Sequence, residues 1–320
     1  SDGIIIHRSA VRIREEPPCS GPPVEAQGAF LMHADNRRGI LAMSLAMALF
    51  IANDALVKQV SATLPGPQLI FIRGLMATTL VLLMAQAMGH LKNWRLMLNK
   101  RLWIRGSVDA AASLTYLTAV FHLPLGNATA INLASPLFIT VFAIIFFKEQ
   151  VTVQRGVLIL LGFSGVLLVV QPSSEGFNVY AWIAVLATLF HATRDTLTRA
   201  IGLHVPALLI TLSTAVSVAI AAGGITLTQT WTPVDSTSLA LLFGASLFLS
   251  MAYYLLIVAM RSGEMSLVAP FRYSGLLFAL LIGYMVWDEV PNLLAWSGIL
   301  LLVISGLLIL RSERLKMPTH

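Results

Sequence analysis

From residue 37 onward the sequence is a succession of apolar runs, each close to the ~20 residues a helix needs to cross a bilayer core. Backbone groups inside lipid must be hydrogen-bonded internally, so these runs read as helices. Approximate spans are 38–58, 67–88, 102–120, 126–147, 155–171, 178–200, 205–228, 237–259, 265–287 and 293–310. Turn chemistry separates them at Pro65-Gly66-Pro67, Pro124-Leu125-Gly126, Pro172-Ser173-Ser174 and Pro291-Asn292. Composition agrees. Over 320 residues, 57% are hydrophobic and 11% charged, which is too apolar for a water-soluble domain and too poor in charge for a disordered chain.

Residues 1–36 differ from the rest and read as a flexible cytoplasmic tail, with Pro17, Pro18, Pro22 and Pro23. The one cysteine, Cys19, lies there, so no internal disulfide is expected. No signal peptide is visible, because Gly3-Ile4-Ile5-Ile6 is a short apolar run followed by charge. The net charge of +6 resembles a nucleic-acid signal until the charges are placed. Arg37, Arg38, Lys92, Arg95, Lys100, Arg101, Lys148, Arg155, Arg261, Arg311 and Arg314 all fall on one side of the expected membrane. The loops 59–66, 121–125, 172–177, 229–236 and 288–292 carry no Lys or Arg. The positive-inside rule then puts both termini in the cytoplasm, with no nucleic-acid partner implied.

The two halves resemble each other at an offset of 140–141 residues. Asp54-x-x-x-Lys58 recurs as Asp195-x-x-x-Arg199, Lys148-Glu149 as Asp288-Glu289, and Ser164-Gly165 as Ser305-Gly306. The expected fold is therefore an all-α integral membrane protein of ten transmembrane helices, arranged as two inverted five-helix repeats at 37–171 and 172–311, with a cytoplasmic tail at 312–320. An odd number of spans per repeat inverts the second half. That arrangement suits a carrier that opens a central site to each face in turn.

With these residues in place, the chain resembles the drug/metabolite transporter superfamily, in particular its EamA-type ten-helix branch. The resemblance covers about 38–311. It rests on Phe71-Ile72-Arg73-Gly74, Ala128-x-x-x-Asn132-x-x-x-Pro136, Phe147-Lys148-Glu149 with Gly162-x-x-Gly165, Ser266-x-x-x-Pro270, and Trp287-Asp288-Glu289 with Gly298 and Gly306. It implies a central cavity and export or uptake of a small-molecule metabolite across a bacterial inner membrane. Members often carry Trp-Gly in the first span, where this chain has Ala52-Asn53-Asp54.

A charge at mid-bilayer costs roughly 2.5–3.5 kcal/mol on insertion scales, so each one asks for a reason. Asp54 with Lys58, Asp195 with Arg199, and Asp109 with Arg105 are spaced to neutralise one another on a helix face. The candidate substrate-binding or gating residues are Asp54, Arg73, Asp109, Asn132, Asp195, Arg272 and Tyr273. By depth, Asp54–Arg73 is expected as an outer gating pair and Asp195–Arg272 as an inner one. Asp109, among small neighbours, is either the carrier of a coupling proton or a structural hydrogen-bonding group. Bases outnumber acids, and the arginine fork suits carboxylate and phosphate, so a substrate with an anionic group such as an amino acid is favoured. Asn53, Tyr116, Trp182, Tyr253 and Tyr254 complete the polar and aromatic set.

Ala215-x-x-x-Ala219-x-x-x-Gly223 is a small-residue stripe for internal packing or, as the alternative, a homodimer contact. No phosphate-binding Gly-rich loop with Lys and no zinc-type His or Cys motif occurs, so no cofactor is expected. A membrane-embedded enzyme and a channel or helical scaffold are the competing classes. Exchange of solutes, or a coupled proton, would drive the carrier.

Overall fold

A computed structural model describes residues 24–147, 153–171, 179–199, 201, 205–261 and 268–314. The described residues form helices and no strands: α1 Val24–Val60, α2 Gly66–Ala87, α3 Lys100–His122, α4 Leu125–Asn132, α5 Ser135–Phe147, α6 Val153–Val170, α7 Val179–Arg199, α8 Ala207–Thr226, α9 Ser236–Arg261, α10 Ser274–Trp287 and α11 Leu293–Arg314. Two 3-10 segments, His90–Leu98 and Ala269–Tyr273, precede α3 and α10. Prolines set several starts: Pro65, Pro124 and Pro206 stand just before α2, α4 and α8, where a missing N–H is harmless. Helix α1 begins at Val24, inside the segment expected as an irregular tail. Residues 24–36 contain helix formers and no proline.

The expected spans 126–147 and 265–287 are not single helices. The first breaks between α4 and α5, just before Pro136, which cannot donate to the Asn132 carbonyl. The neighbouring Ile131 carbonyl accepts from the Ala134 N–H at 3.1 Å and from the Thr188 hydroxyl of α7 at 3.2 Å, so the break is hydrogen-bonded. In the second, a 3-10 turn around Pro270 leads into α10. The sequence repeat places these two broken segments at equivalent positions.

Packing follows the repeat. Helix α1 lies on α9, α9 on α2, α2 on α8, α8 on α3, α3 on α7, α7 on α4 and α5, α4 on α10, and α10 back on α1, closing a ring. Exchanging each first-half helix for its second-half counterpart maps this ring onto itself. Helices α6 and α11 stand outside it, packed on each other. There the backbones nearly touch: a Cβ on Gly165 would lie 2.8 Å from the Gly298 carbonyl oxygen, and one on Gly298 2.6 Å from that of Gly165. The stripe on α8 is internal as well, with Ala219 against Gly74 and Gly223 against Phe71, both of α2.

Cross-links between loops fix the direction of each half. Thr63 meets Ser238, Gln68 meets Thr232, Gln171 meets Asn292, and Lys58 meets both Leu123 and Glu289, all at one end of the ring. Helix α1 ends there. Helix α7 starts there, with Tyr180 stacked on His122. The two halves therefore run in opposite senses. The surface is inside-out relative to a soluble protein: Leu41, Leu277 and Met285 are 69%, 69% and 73% exposed, while Asn53, Gln68 and Asp109 are each 1% exposed. Four described stretches, Arg37–Val60, Gly66–Ala87, Ala207–Thr226 and Ser236–Leu256, are long and apolar enough to cross a membrane.

Candidate functional site

Two polar clusters fill the ring. The first joins α1, α2 and α3. The Asn53 amide donates to Asp54 Oδ1 at 2.8 Å and its oxygen accepts from Arg73 Nη1 at 3.0 Å. Tyr116 donates to Asp54 Oδ2 at 3.2 Å. Asp54 and Arg73 thus come together, but through Asn53 rather than as a direct ion pair. An amide can do this because it donates and accepts at once. The Ser246 hydroxyl of α9 donates to the Arg73 carbonyl at 3.2 Å, tying α9 to the cluster.

The second cluster joins α3, α7 and α8. Asp109 accepts from Arg194 at 3.0 Å and lies 3.3 Å from Arg105, one turn back on its own helix. Arg194 also holds Asp195 at 2.8 Å. Arg105 is spread further, donating to Thr198 at 2.8 Å and to Thr214. Two carboxylates and two guanidinium groups form one chain of charge-assisted bonds, which is how buried charges become tolerable. The Asp109–Arg105 pairing matches the sequence spacing. Asp195 is paired with its neighbour Arg194, and among the described residues no ion pair joins it to Arg272. The Arg199 side chain, its expected partner, lies outside the described residues.

Between the clusters stand groups that spacing alone did not single out. His191 of α7 donates from Nδ1 to Asn132 Oδ1 at 2.7 Å and sets its ring edge against Tyr116, with centroids 5.7 Å apart. Tyr253 of α9 is edge-on to Phe50 at 5.1 Å and within electrostatic reach of Arg73, Arg105, Asp109 and Arg194. Arg272 is half-buried at the end of the 3-10 turn, in the electrostatic neighbourhood of Asp195 and His191, and its side chain makes no hydrogen bond or ion pair among the described residues. Tyr273 turns away: its phenolic oxygen occupies the place of a Cβ on Gly306 of α11, so it packs against a helix outside the ring.

Lys58 corrects the sequence expectation most clearly. It does not neutralise Asp54 one turn away. Its Nζ lies 2.5 Å from Glu289 Oε1, donates to the Leu123 carbonyl at 2.7 Å, and sits 4.8 Å over the Trp287 ring. Glu289 Oε2 accepts the Leu125 N–H at 2.8 Å. The turn that aims Glu289 is a helix-ending one. Asp288 is left-handed at φ 53°, and the Glu289 N–H reaches back to the Gly283 carbonyl at 3.1 Å. Gly283 leaves room for the carboxylate, which a Cβ there would approach to 3.1 Å.

A ring of helices apolar outside and charged within, built from two oppositely directed halves, is the architecture of a membrane carrier. The EamA-like transporter family matches residues 37–171 and again 178–311, and the chain belongs to that family. It is a secondary transporter of a small metabolite. The chain is 28% identical over 285 residues to the pseudopaline exporter CntI of Pseudomonas aeruginosa, covering 87% of this chain and 98% of that one. It is 25% identical over 217 residues to a riboflavin transporter of Brucella anthropi, covering 66% of this chain and 76% of the relative. An S-adenosylmethionine uptake transporter of Rickettsia prowazekii is 26% identical over 196 residues, or 61% of this chain and 66% of the relative. A solved crystal structure superposes with a TM-score of 0.59 at 16% identity, covering 87% of this chain and 99% of that one, a likeness of fold alone.

Proposed function

We propose that the chain is a ten-span carrier in a bacterial inner membrane that moves a metabolite bearing an anionic group through the centre of the ring by alternating access, and that it is not an enzyme. Both termini lie in the cytoplasm. Arg37, Arg38, Lys92, Arg95, Lys100 and Arg101 all stand at the end opposite Lys58 and Glu289, which supports this orientation. The relatives include an exporter and an uptake transporter, and their named substrates differ, so the substrate class is argued from the site.

The observation that carries it is the charge balance inside the ring. Asp54, Asp109 and Asp195 face Arg73, Arg105, Arg194 and Arg272. The Nε of Arg73 is buried without an acceptor, and Arg272 is unpaired among the described residues. A carboxylate or phosphate would supply the acceptor that either group lacks. His191, Asn132 and Tyr253 supply neutral polar contacts along the same path, and Asp54 or Asp195 offers a place for an amino group.

Reconstitution into liposomes tests this reading. Radiolabelled amino acids and organic acids are expected to show saturable uptake and to exchange with preloaded solute. Arg272→Met is expected to abolish uptake while leaving the protein folded, and Arg272→Lys to retain part of it. Ion-like flux without saturation would point to a channel, and a chemically altered solute to an enzyme.

A further inference from the structure

We propose that Lys58, Glu289, Leu123 and Leu125 form the clasp that shuts one mouth of the ring, and that release of the Lys58–Glu289 pair opens that mouth. The proposal rests on the carrier reading for its purpose and on geometry for its substance.

Gating pairs must join parts that separate. Asp54 and Arg73 belong to consecutive helices and are bridged by Asn53, deep in the ring. Lys58 and Glu289 are 231 residues apart, one at the end of α1 in the first half and the other just past α10 in the second. Their bonds to Leu123 and Leu125 draw in the turn that starts α4. One carboxylate and one ammonium thus pin the ends of α1 and α10 and the start of α4 at a single point.

The broken segments show the mouth in its shut state. At this end α4 packs on α10, the two halves of the broken segments nearest the clasp. Beyond the breaks α5 packs on α7 and α6, and among the described residues it shares no comparable contact with the 3-10 turn. Among the described residues, the two broken segments pack on each other at the clasp and share no comparable contact beyond it. The pair is also suited to opening: Lys58 and Glu289 side chains are 10% and 18% exposed, so water reaches both when they part. A fully buried pair would leave two unsolvated charges on separating. The left-handed Asp288 stores modest backbone strain at this turn.

Site-directed labelling tests the clasp without any substrate. In a Cys19→Ser background, Thr129→Cys places a thiol on α4, 5% exposed and behind the clasp. A membrane-impermeant maleimide is applied from the clasp side, and labelling of residue 129 is read by peptide mass. The clasped protein is expected to label slowly, and Glu289→Gln and Lys58→Met each to label about tenfold faster, with unchanged helix content and elution. Joining Lys58→Cys to Glu289→Cys with a short bifunctional thiosulfonate is expected to hold residue 129 at the slow rate until reductant cuts the link. Single variants that label no faster than the parent, or linked protein that labels as fast as reduced protein, would overturn the clasp. Failure of the carrier reading shows instead as absent liposome uptake with labelling rates as expected.

Discussion

Helix pairs α1·α9 and α3·α7 occupy equivalent places in the ring, yet one is mostly apolar and the other carries a chain of charges. The repeat relates Asn53-Asp54 to Arg194-Asp195, 141 positions apart. In each, the first side chain donates to the carboxylate beside it, at 2.8 Å and 2.9 Å. What differs is the helix opposite. Arg105 and Asp109 of α3 have Ser246 and Ser250 of α9 as their counterparts at the same offset. Those serines bond mainly to their own helix: Ser246 to Leu242, Ser250 to Ser246. The shared geometry around each aspartate belongs to the fold. The extra charges on α3 and α7 are not shared by the other half, and they make the interior of the ring asymmetric.

The largest expected effect comes from breaking the charged side. Asp109→Ala leaves Arg105 and Arg194 without their shared carboxylate and should cost about 3–5 kcal/mol. The counterpart change Ser250→Ala should cost less than about 1 kcal/mol. Thermal unfolding in detergent compares the two, and equal losses would erase the contrast. Gly298→Ala tests the third helix pair, outside the ring. Its Cβ would meet backbone that cannot move aside, at about 1–3 kcal/mol, and uptake per folded molecule should stay at the parent level. Asn53→Leu removes the bridge between Asp54 and Arg73 and should cost about 1–2 kcal/mol, with a several-fold drop in uptake.

The smallest effect is at the start of α9, outside the membrane. Asp235 accepts the N–H groups of Thr237 and Ser238 at 3.1 Å and 3.2 Å as a helix cap. The Ser238 hydroxyl, with these backbone bonds, holds its carboxyl below the usual carboxylate range. A lowered folded pKa means the cap contributes above the unfolded value, about 4, and fades as pH falls through the folded one. Asp235→Ala should lower the melting midpoint slightly at pH 7, and the difference should vanish in strong acid.

Most helices were legible because apolar runs of span length have few alternatives in a chain this poor in charge. The breaks were partly legible: Pro136 and Pro270 mark them, but only the ring shows that both lie in segments facing each other. The Asp109–Arg105 pair was visible as a one-turn spacing. The same rule misassigned Lys58, because helical spacing sees neighbours four residues away and cannot see Glu289 across the ring. The signal that points to it is the repeat itself, which sets an acidic residue at the end of the second half's fourth span, at the membrane face where the first span ends. Asn53 passed as one polar residue among several, since its value lies in donating to one charge while accepting from another. Asp109 and Asn132 were candidates from the sequence, but no spacing rule joins them to their partners Arg194 and His191 on α7. Tyr273 had the depth of a site residue, and only the bare Gly306 beside it explains why it faces outward.

The central claim is that the two halves are inverted copies around one polar site. Lys92 and Pro233 are repeat counterparts 141 positions apart, both exposed, each in the connection between the second and third spans of its half. In a Cys19→Ser background, Lys92→Cys and Pro233→Cys are labelled with an impermeant maleimide in intact cells and in inverted vesicles. Inversion predicts that residue 233 labels only in cells and residue 92 only in inverted vesicles. Labelling of both from the same side would contradict it.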